Sequence, residues 1–160
     1  MTNLRVGSSF DIHKLSAGYR LVLGGIVVPF EMGLASWSDG DVLTHAIIDA
    51  LFGAAGLGNI GSHFPPGDTR YHAIPSLNLL KIAGEIIAEN SWQIINLDTT
   101  IIAEKPRLMP YLAQMGQKLG ETLGIETTKV SVKAKTSDGM GIIGRGGAIA
   151  ALATTLIEHP

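Results

Sequence analysis

Segments rich in β-branched residues alternate with helical segments along the chain, and this order restricts the folds that it can adopt. The predicted elements begin with a strand over Leu4–His13 and a short hairpin or two small strands over Leu21–Phe30. A helix over Val42–Leu57 and a second helix, which Ser76 can cap and which ends near Asn90, come next. A strand over Ile94–Ala103, a helix ending at Leu123, and strands over Val130–Lys135 and Ala148–Ile157 follow. This order predicts one α/β domain over residues 1–160, with a mixed sheet backed by helices on one face.

The last segment, Ala148–Ile157, fits either a strand or a helix by its pattern alone. It follows the loop Gly139–Gly147, in which five of nine residues are glycine, and it contains two β-branched threonines. Because β-branched side chains favour strands, we predict a strand here.

Composition excludes several classes of protein. The chain is 46% hydrophobic and 16% charged, which excludes intrinsic disorder. Its 12 Lys and Arg against 14 Asp and Glu argue against nucleic-acid binding. The absence of cysteine excludes disulfides, thiolate metal sites and cysteine nucleophiles. No signal peptide or apolar run of about 20 residues is present, so we expect a cytoplasmic protein without membrane contact.

Three side chains indicate a metal site. Asp11 and His13 are two residues apart at the end of the first strand, so both project from the same face. His45 lies in the first predicted helix. Together they would supply a carboxylate and two imidazoles to a tetrahedral ion with one open position, as catalytic zinc sites require. A structural histidine, hydrogen-bonded within its own helix, is the alternative interpretation of His45.

Two acidic residues share the helical stripe of His45. Asp41, His45 and Asp49 are four residues apart, which places them on one side of the helix. Asp41 or Asp49 would then orient a ligating imidazole by a hydrogen bond. If His45 has only a structural role, the same hydrogen bond would simply satisfy its ring.

The residues before this helix suggest an anion site. Ser38-Asp39-Gly40-Asp41 has the S-x-x-D spacing of a helix cap. A helix N-terminus presents free N–H groups and the positive end of the dipole, which suits a phosphate. Ser38 is therefore interpreted as a cap, as a phosphate contact, or as both.

Two later segments are ambiguous on their own. Lys133–Asp138 forms the end of a predicted strand and the residues after it, and it contains two cations, two hydroxyls and a carboxylate. Such a set could bind a phosphate and a hard cation such as Mg²⁺. A solvated charged turn is the alternative.

Ala103–Pro110 joins a strand to a helix, and Pro106 suits helix initiation. By itself this segment is a connector.

Taken together, these segments resemble the 2-C-methyl-D-erythritol 2,4-cyclodiphosphate synthase family of the non-mevalonate isoprenoid pathway. The resemblance extends from Arg5 to Leu156, and its motifs lie in Arg5–His13, Ser38–Leu51, Ile60–Pro66, Asp98–Leu108 and Val132–Gly146. Members of this family are lyases that carry out an intramolecular phosphoryl transfer. The 2-phosphate of 4-diphosphocytidyl-2-C-methyl-D-erythritol 2-phosphate attacks the β-phosphorus, CMP leaves, and a cyclic diphosphate forms.

The resemblance implies roles for individual residues. Asp11, His13 and His45 would bind a divalent ion, usually Zn²⁺, and Asp138 would help to hold Mg²⁺ or Mn²⁺ across the substrate diphosphate. Ser38 would contact the 2-phosphate. The remaining substrate contacts would be Asn59 and Gly61 at the ribose, Ala103, Pro106, Arg107, Met109 and Ala134 at the cytosine, Thr136 at a phosphate, and Lys135 beside it.

The resemblance also implies an assembly. The family fold is an α/β sandwich that forms a homotrimer with active sites between neighbouring subunits. An apolar central cavity is closed by arginines matching Arg145, and an isoprenoid diphosphate is a candidate ligand there. Such an assembly would agree with the low charge of the chain.

Four residues depart from the common family pattern. Trp37 replaces a frequent histidine, Asn59 replaces an aspartate, Lys135 stands where some members have threonine, and Gly147 replaces a frequent glutamate. Two alternative functions remain open. The same Asp-His-His site could serve a metal-dependent phosphohydrolase that uses water, and the changes at Trp37 and Asn59 suggest an inactive trimer that binds isoprenoid diphosphates.

Overall fold

The computed structural model describes residues 3–160, and its largest element is a five-stranded mixed sheet. The strands are β1 (Asn3–Ser16), β4 (Gly33–Leu34), β5 (Gln93–Ile102), β6 (Val130–Lys135) and β7 (Ala148–His159), arranged in the order β4-β1-β7-β5-β6. β6 runs parallel to β5, whereas the other pairs are antiparallel. The predicted mixed sheet is therefore confirmed, as is the strand assignment of the last segment.

The remaining elements are a small hairpin and the helices. The hairpin consists of β2 (Leu21–Leu23) and β3 (Ile26–Val28); the helices are α1 (Val42–Ala55), α2 (Ile60–His63), α3 (Ser76–Glu89), α4 (Leu112–Leu123) and α5 (Gly141–Gly144). α1 packs on β1 and β7, α4 packs on β6, and α3 contacts both helices. The short helices α2 and α5 lie in segments that the sequence assigned to loops.

The two faces of β1 have different surroundings. Gly7 and Leu15 are buried on the face that α1 covers, whereas Leu4, Val6, Phe10 and Ile12 are exposed on the other face. A Cβ on Gly7 would lie 2.0 Å from the carbonyl oxygen of Ala50, so α1 packs closely here only because this residue has no side chain. Asp11 and His13 are on the covered face.

Two helix starts differ from the sequence prediction. Asp41, not Ser38, caps α1, because its carboxylate accepts the backbone N–H of Thr44 at 3.0 Å. Ser76 is the first residue of α3 rather than its cap, and Pro75 precedes it. The hydroxyls of Ser38 and Ser76 instead lie 2.9 Å from Nε2 of His45, a residue of α1.

The carboxylate of Asp41 joins the hairpin to α1. It accepts hydrogen bonds from the backbone N–H groups of Gly24 (2.9 Å) and Gly25 (2.7 Å) and from the hydroxyl of Thr44 (2.7 Å). Both glycines have positive φ angles, 55° and 73°, which align their N–H groups in the tight turn. The side chain of Asp41 is fully buried.

We expect Asp41→Ala to lower the free energy of unfolding by about 3 kcal/mol, because it leaves several buried donors without an acceptor. Urea denaturation measures this loss. Asp98→Ala is the control, since Asp98 is half-exposed and pairs with Lys133 at the surface, so its loss should cost less than about 1 kcal/mol. Similar losses in both variants would contradict the role of Asp41.

Within residues 3–160, none of the helices combines the length and the apolar character needed to cross a membrane.

Candidate functional site

Asp11, His13 and His45 converge between β1 and α1. One ligand atom from each lies within 4.8 Å of the others. Asp11 Oδ2 is 3.1 Å from His13 Nε2 and 3.6 Å from His45 Nδ1. β1 places the first two side chains on its covered face, and α1 brings His45 against them.

The charges of the three groups are coupled. Burial raises the pKa of Asp11, but the neighbouring imidazoles of His13 and His45 outweigh burial and hold the pKa of this carboxyl well below its usual range. Burial opposes a charge on His13, but the hydrogen bond and charge of Asp11 dominate and raise the pKa of this imidazole. A divalent cation would therefore enter a site with an ionised carboxylate.

Each imidazole has a hydrogen-bond partner on the side away from Asp11. His13 Nδ1 lies 3.1 Å from the carbonyl oxygen of Gly40. His45 Nε2 lies 2.9 Å from the hydroxyl oxygens of both Ser38 and Ser76. Such outer partners orient metal-ligating histidines, and the inward atoms form the donor set that zinc prefers. The residues thus fit a divalent metal.

Neither predicted outer carboxylate orients an imidazole. The hydrogen bonds of Asp41 go to the hairpin and to Thr44, as described above. Asp49 Oδ1 accepts the backbone N–H of Ile60 at 2.6 Å, which fixes the start of α2. Within the described residues, neither Asp41 nor Asp49 is a hydrogen-bond partner of a histidine, so this prediction is wrong. Both carboxylates instead accept backbone N–H groups and thereby connect neighbouring segments of the chain.

A cavity of about 240 Å³ opens beside the three candidate ligands. Its wall includes Ser38 and Gly61, two of the predicted substrate contacts, together with Tyr71 and Leu79. Asn59 directly precedes α2, and its side chain caps this helix by accepting hydrogen bonds from the backbone N–H and the hydroxyl of Ser62. The structure thus brings Ser38 and Gly61 to the candidate metal centre.

A second cavity, of about 410 Å³, lies where β5 and β6 end. Its wall contains seven of the residues predicted to bind the substrate: Ala103, Pro106, Arg107, Met109, Ala134, Lys135 and Thr136. Within residues 3–160 the lining residues of the two cavities do not overlap. A ligand that uses both sets of residues must therefore reach from one cavity to another.

Asp138 and Arg145 lie apart from the candidate metal ligands. Asp138 is exposed in a left-handed conformation, with φ of 51°, and accepts the hydroxyl of Thr136 at 3.2 Å. Arg145 lines a cavity of about 270 Å³ with Glu31, Glu104 and Lys105. In the described chain, neither residue contributes to the first two cavities.

Trp37 anchors the segment 68–73, which contributes Tyr71 to the wall of the first cavity. Its indole N–H donates to the carbonyl oxygen of Asp68 at 3.0 Å, and its ring meets that of His72 edge-on at 4.9 Å. Its own carbonyl oxygen accepts the N–H of Ala73 at 2.8 Å. This residue, noted in the sequence as a departure from the family pattern, therefore holds the segment 68–73 in place.

Comparison with known proteins decides the family. The sequence pattern of the YgbB family matches residues 4–158. The chain belongs to the YgbB family. A relative from Syntrophomonas wolfei, named 2-C-methyl-D-erythritol 2,4-cyclodiphosphate synthase, is 50% identical over 156 residues, which cover 98% of this chain and 99% of the relative.

Solved YgbB-family structures share the fold. The bifunctional IspDF of Campylobacter jejuni superposes with a TM-score of 0.96 at 34% identity; the match covers all of this chain but 43% of that longer one. An IspF from Plasmodium falciparum in complex with CDP gives 0.84 at 31% identity, covering 97% and 96% of the two chains. The family resemblance inferred from the sequence is therefore confirmed.

Proposed function

We propose that this protein converts 4-diphosphocytidyl-2-C-methyl-D-erythritol 2-phosphate into 2-C-methyl-D-erythritol 2,4-cyclodiphosphate and CMP in the non-mevalonate isoprenoid pathway. The observation that carries the proposal is the convergence of Asp11, His13 and His45 at the first cavity. The family relatives that bear the name of this synthase support the same reaction.

The reaction forms and breaks one bond to the same phosphorus. A 2-phosphate oxygen attacks the β-phosphorus, and the bond from that phosphorus to the CMP oxygen breaks. Since the nucleophile is already an anion, no base has to remove a proton, and the barrier comes from bringing two anions together in line.

The protein groups address this barrier by charge and position. Asp11, His13 and His45 would hold a zinc ion, which when bound supplies positive charge to the diphosphate. Ser38 lines the same cavity and is placed to contact the 2-phosphate. Gly61 leaves room for the ribose. Trp37 holds the segment 68–73 beside the same cavity.

We assign the cytosine to the second cavity. Its walls combine the apolar Ala103 and Met109 with the polar side chains of Arg107 and Thr136, which suits a flat polar ring and a phosphate. The CDP complex of the Plasmodium falciparum protein supports a cytidine site in this family.

We further propose a homotrimer in which the metal ligands of one subunit face the cytosine cavity of its neighbour. Two observations support it. The two cavities have no lining residue in common within the described chain, and one sheet face exposes Leu4, Val6, Phe10, Ile12 and Leu152. A contiguous apolar face of this kind is characteristic of a surface that another subunit covers.

The trimer would bring three copies of Arg145 close to one axis. Three guanidinium groups repel each other unless an anion lies between them. An isoprenoid diphosphate, with an apolar chain and an anionic head, matches an apolar cavity closed by such a ring. We propose an isoprenoid diphosphate as the ligand of this ring.

We also propose that the protein is cytoplasmic.

Asp138 is proposed to hold Mg²⁺ or Mn²⁺ against the diphosphate of the substrate. Asp138→Asn keeps the shape of the side chain and tolerates the left-handed backbone, but removes the charge. We expect the Mg²⁺ concentration for half-maximal activity to rise severalfold, with zinc content unchanged. A Mg²⁺ titration of CMP release measures this concentration. If the curves of Asp138→Asn and the wild type coincide, Asp138 does not bind the metal and is only part of a solvated surface turn.

The proposed function is tested by incubating purified protein with the substrate and identifying both products by mass spectrometry. We expect CMP and the cyclic diphosphate in equal amounts, and loss of both when a chelator removes the metal. A linear product that is heavier than the cyclic diphosphate by one water would indicate a phosphohydrolase. Unchanged substrate in the presence of zinc and Mg²⁺ would indicate an inactive binding protein.

A further inference from the structure

A chain of three side chains leads away from the candidate metal centre into the protein. Asp39 contacts Ser76, and Ser76 contacts His45. These residues come from the loop before α1, from the first residue of α3, and from α1 itself. We propose that Ser76, held by Asp39, is a positioning residue that fixes the tautomer of His45 for metal binding. The inference rests on the proposed function, because it presupposes a metal ion at Asp11.

The proton of the Ser76 hydroxyl is committed to Asp39. Asp39 Oδ1 lies 2.5 Å from Ser76 Oγ, and it also accepts the N–H of Asp41 at 3.1 Å. Asp39 Oδ2 accepts the N–H of Ser76 at 2.9 Å. With donors directed at both oxygens, the carboxylate acts only as an acceptor. Ser76 therefore donates its single hydroxyl proton to Asp39.

This commitment decides which nitrogen of His45 carries a proton. Ser76 Oγ presents only lone pairs to His45 Nε2, which is 2.9 Å away. A nitrogen without a proton would place its own lone pair against that oxygen, so Nε2 must be the donor. In a neutral imidazole the lone pair is then on Nδ1, which lies on the side of Asp11 but at 3.6 Å from Oδ2, beyond hydrogen-bonding distance. This is the tautomer that a metal ion between Asp11 and His45 requires.

Ser38 does not fix the tautomer of His45 in the same way. Its hydroxyl is also 2.9 Å from His45 Nε2, but its remaining contacts are weak: Gly40 N–H at 3.4 Å and the hydroxyls of Ser36 and Ser76 at 3.5 and 3.4 Å. A hydroxyl with such neighbours can rotate to donate or to accept. Only Ser76 has its proton fixed by a carboxylate.

His13 reaches the equivalent state by a different route. Its Nδ1 faces the carbonyl oxygen of Gly40, which can only accept, so that Nδ1 carries the proton and Nε2 faces Asp11. A backbone carbonyl cannot be removed by substitution. The tautomer of His45, by contrast, depends on a side chain, and this makes the inference testable.

The test measures zinc affinity by competition with a chromophoric chelator in the wild type and three variants. We expect Ser76→Ala to bind zinc roughly 10- to 100-fold more weakly, as is usual when an outer partner of a ligating histidine is lost. Ser76→Thr keeps the hydroxyl and should retain most of the affinity. Ser62→Ala removes a surface hydroxyl that bonds Asn59 instead, and should bind zinc as the wild type does.

A second measurement separates positioning from general loss of structure. Long-range ¹H–¹⁵N correlation spectra of metal-free protein, recorded at a pH where the imidazoles are neutral, report the protonated nitrogen of each histidine. We expect His45 to carry its proton on Nε2 in the wild type, Ser76→Thr and Ser38→Ala, and to become a mixture of tautomers in Ser76→Ala.

The outcomes are distinct. Equal zinc affinity in Ser76→Ala and the wild type would overturn the positioning role while leaving the metal site intact. Weak affinity in both Ser76→Ala and Ser76→Thr, with unaltered tautomers, would also overturn it, because the hydroxyl would then have no specific effect. A wild type that binds no zinc would contradict the proposed metal site itself.

Discussion

His45→Ala should abolish zinc binding and lower the rate of CMP release by about 10³-fold or more. The substitution leaves Asp11 and His13 as the only protein ligands of the candidate centre, and two ligands rarely hold zinc tightly. Metal content is measured on the purified variant, and CMP release is measured at saturating Mg²⁺.

The matched control is His159→Ala, which removes an exposed histidine at the end of β7, packed edge-on against Trp92. It should bind one zinc per chain and retain wild-type activity. If His45→Ala kept both its zinc and its activity, the assignment of the metal centre would be wrong.

Two inactive variants should restore activity to each other when their subunits mix. His45→Ala keeps an intact cytosine cavity. Ala134→Trp fills that cavity from an exposed position on β6, which is safer for folding than Ala103→Trp, since Ala103 is buried. If each site joins two subunits, every mixed trimer has one interface at which both halves are intact.

Random reassembly at equal concentrations makes about three-quarters of the trimers mixed, so roughly a quarter of all sites should recover. The variants are unfolded together, refolded and assayed beside each variant refolded alone. Native mass spectrometry reports whether mixed trimers formed. Mixed trimers without recovered activity would place each site within one chain.

Local patterns placed the three candidate metal ligands on their elements, but they left a structural role for His45 open. The two-residue spacing of Asp11 and His13 places both on the covered face of β1, and helical periodicity places His45 on α1. The β-branched residues of the last segment correctly predicted β7. Such inferences succeed because a strand or helix fixes the direction of its side chains over a few residues.

Contacts between distant segments could not be predicted. Asp41 was expected to orient an imidazole, but its partners include Gly24 and Gly25 of an earlier hairpin. Ser76 contacts His45 across 31 residues of sequence. No spacing rule connects such pairs, because their contact depends on how helices and hairpin pack on the sheet.

The residues of the cytosine cavity were identified only through the family resemblance. Ala103 and Ala134 carry no chemistry that distinguishes them from core alanines, and the segment around Pro106 is a connector by its own pattern. The structure brings these residues together because β5 and β6 are parallel neighbours whose ends lie side by side.

The central claim is that phosphoryl transfer occurs within the substrate, and the most direct measurement is the reaction in water labelled with ¹⁸O, followed by ³¹P NMR. Attack by the 2-phosphate takes no oxygen from solvent, so we expect a cyclic diphosphate whose phosphorus resonances show no isotope shift. A linear product carrying one ¹⁸O on phosphorus would show that water is the nucleophile, and would contradict the account.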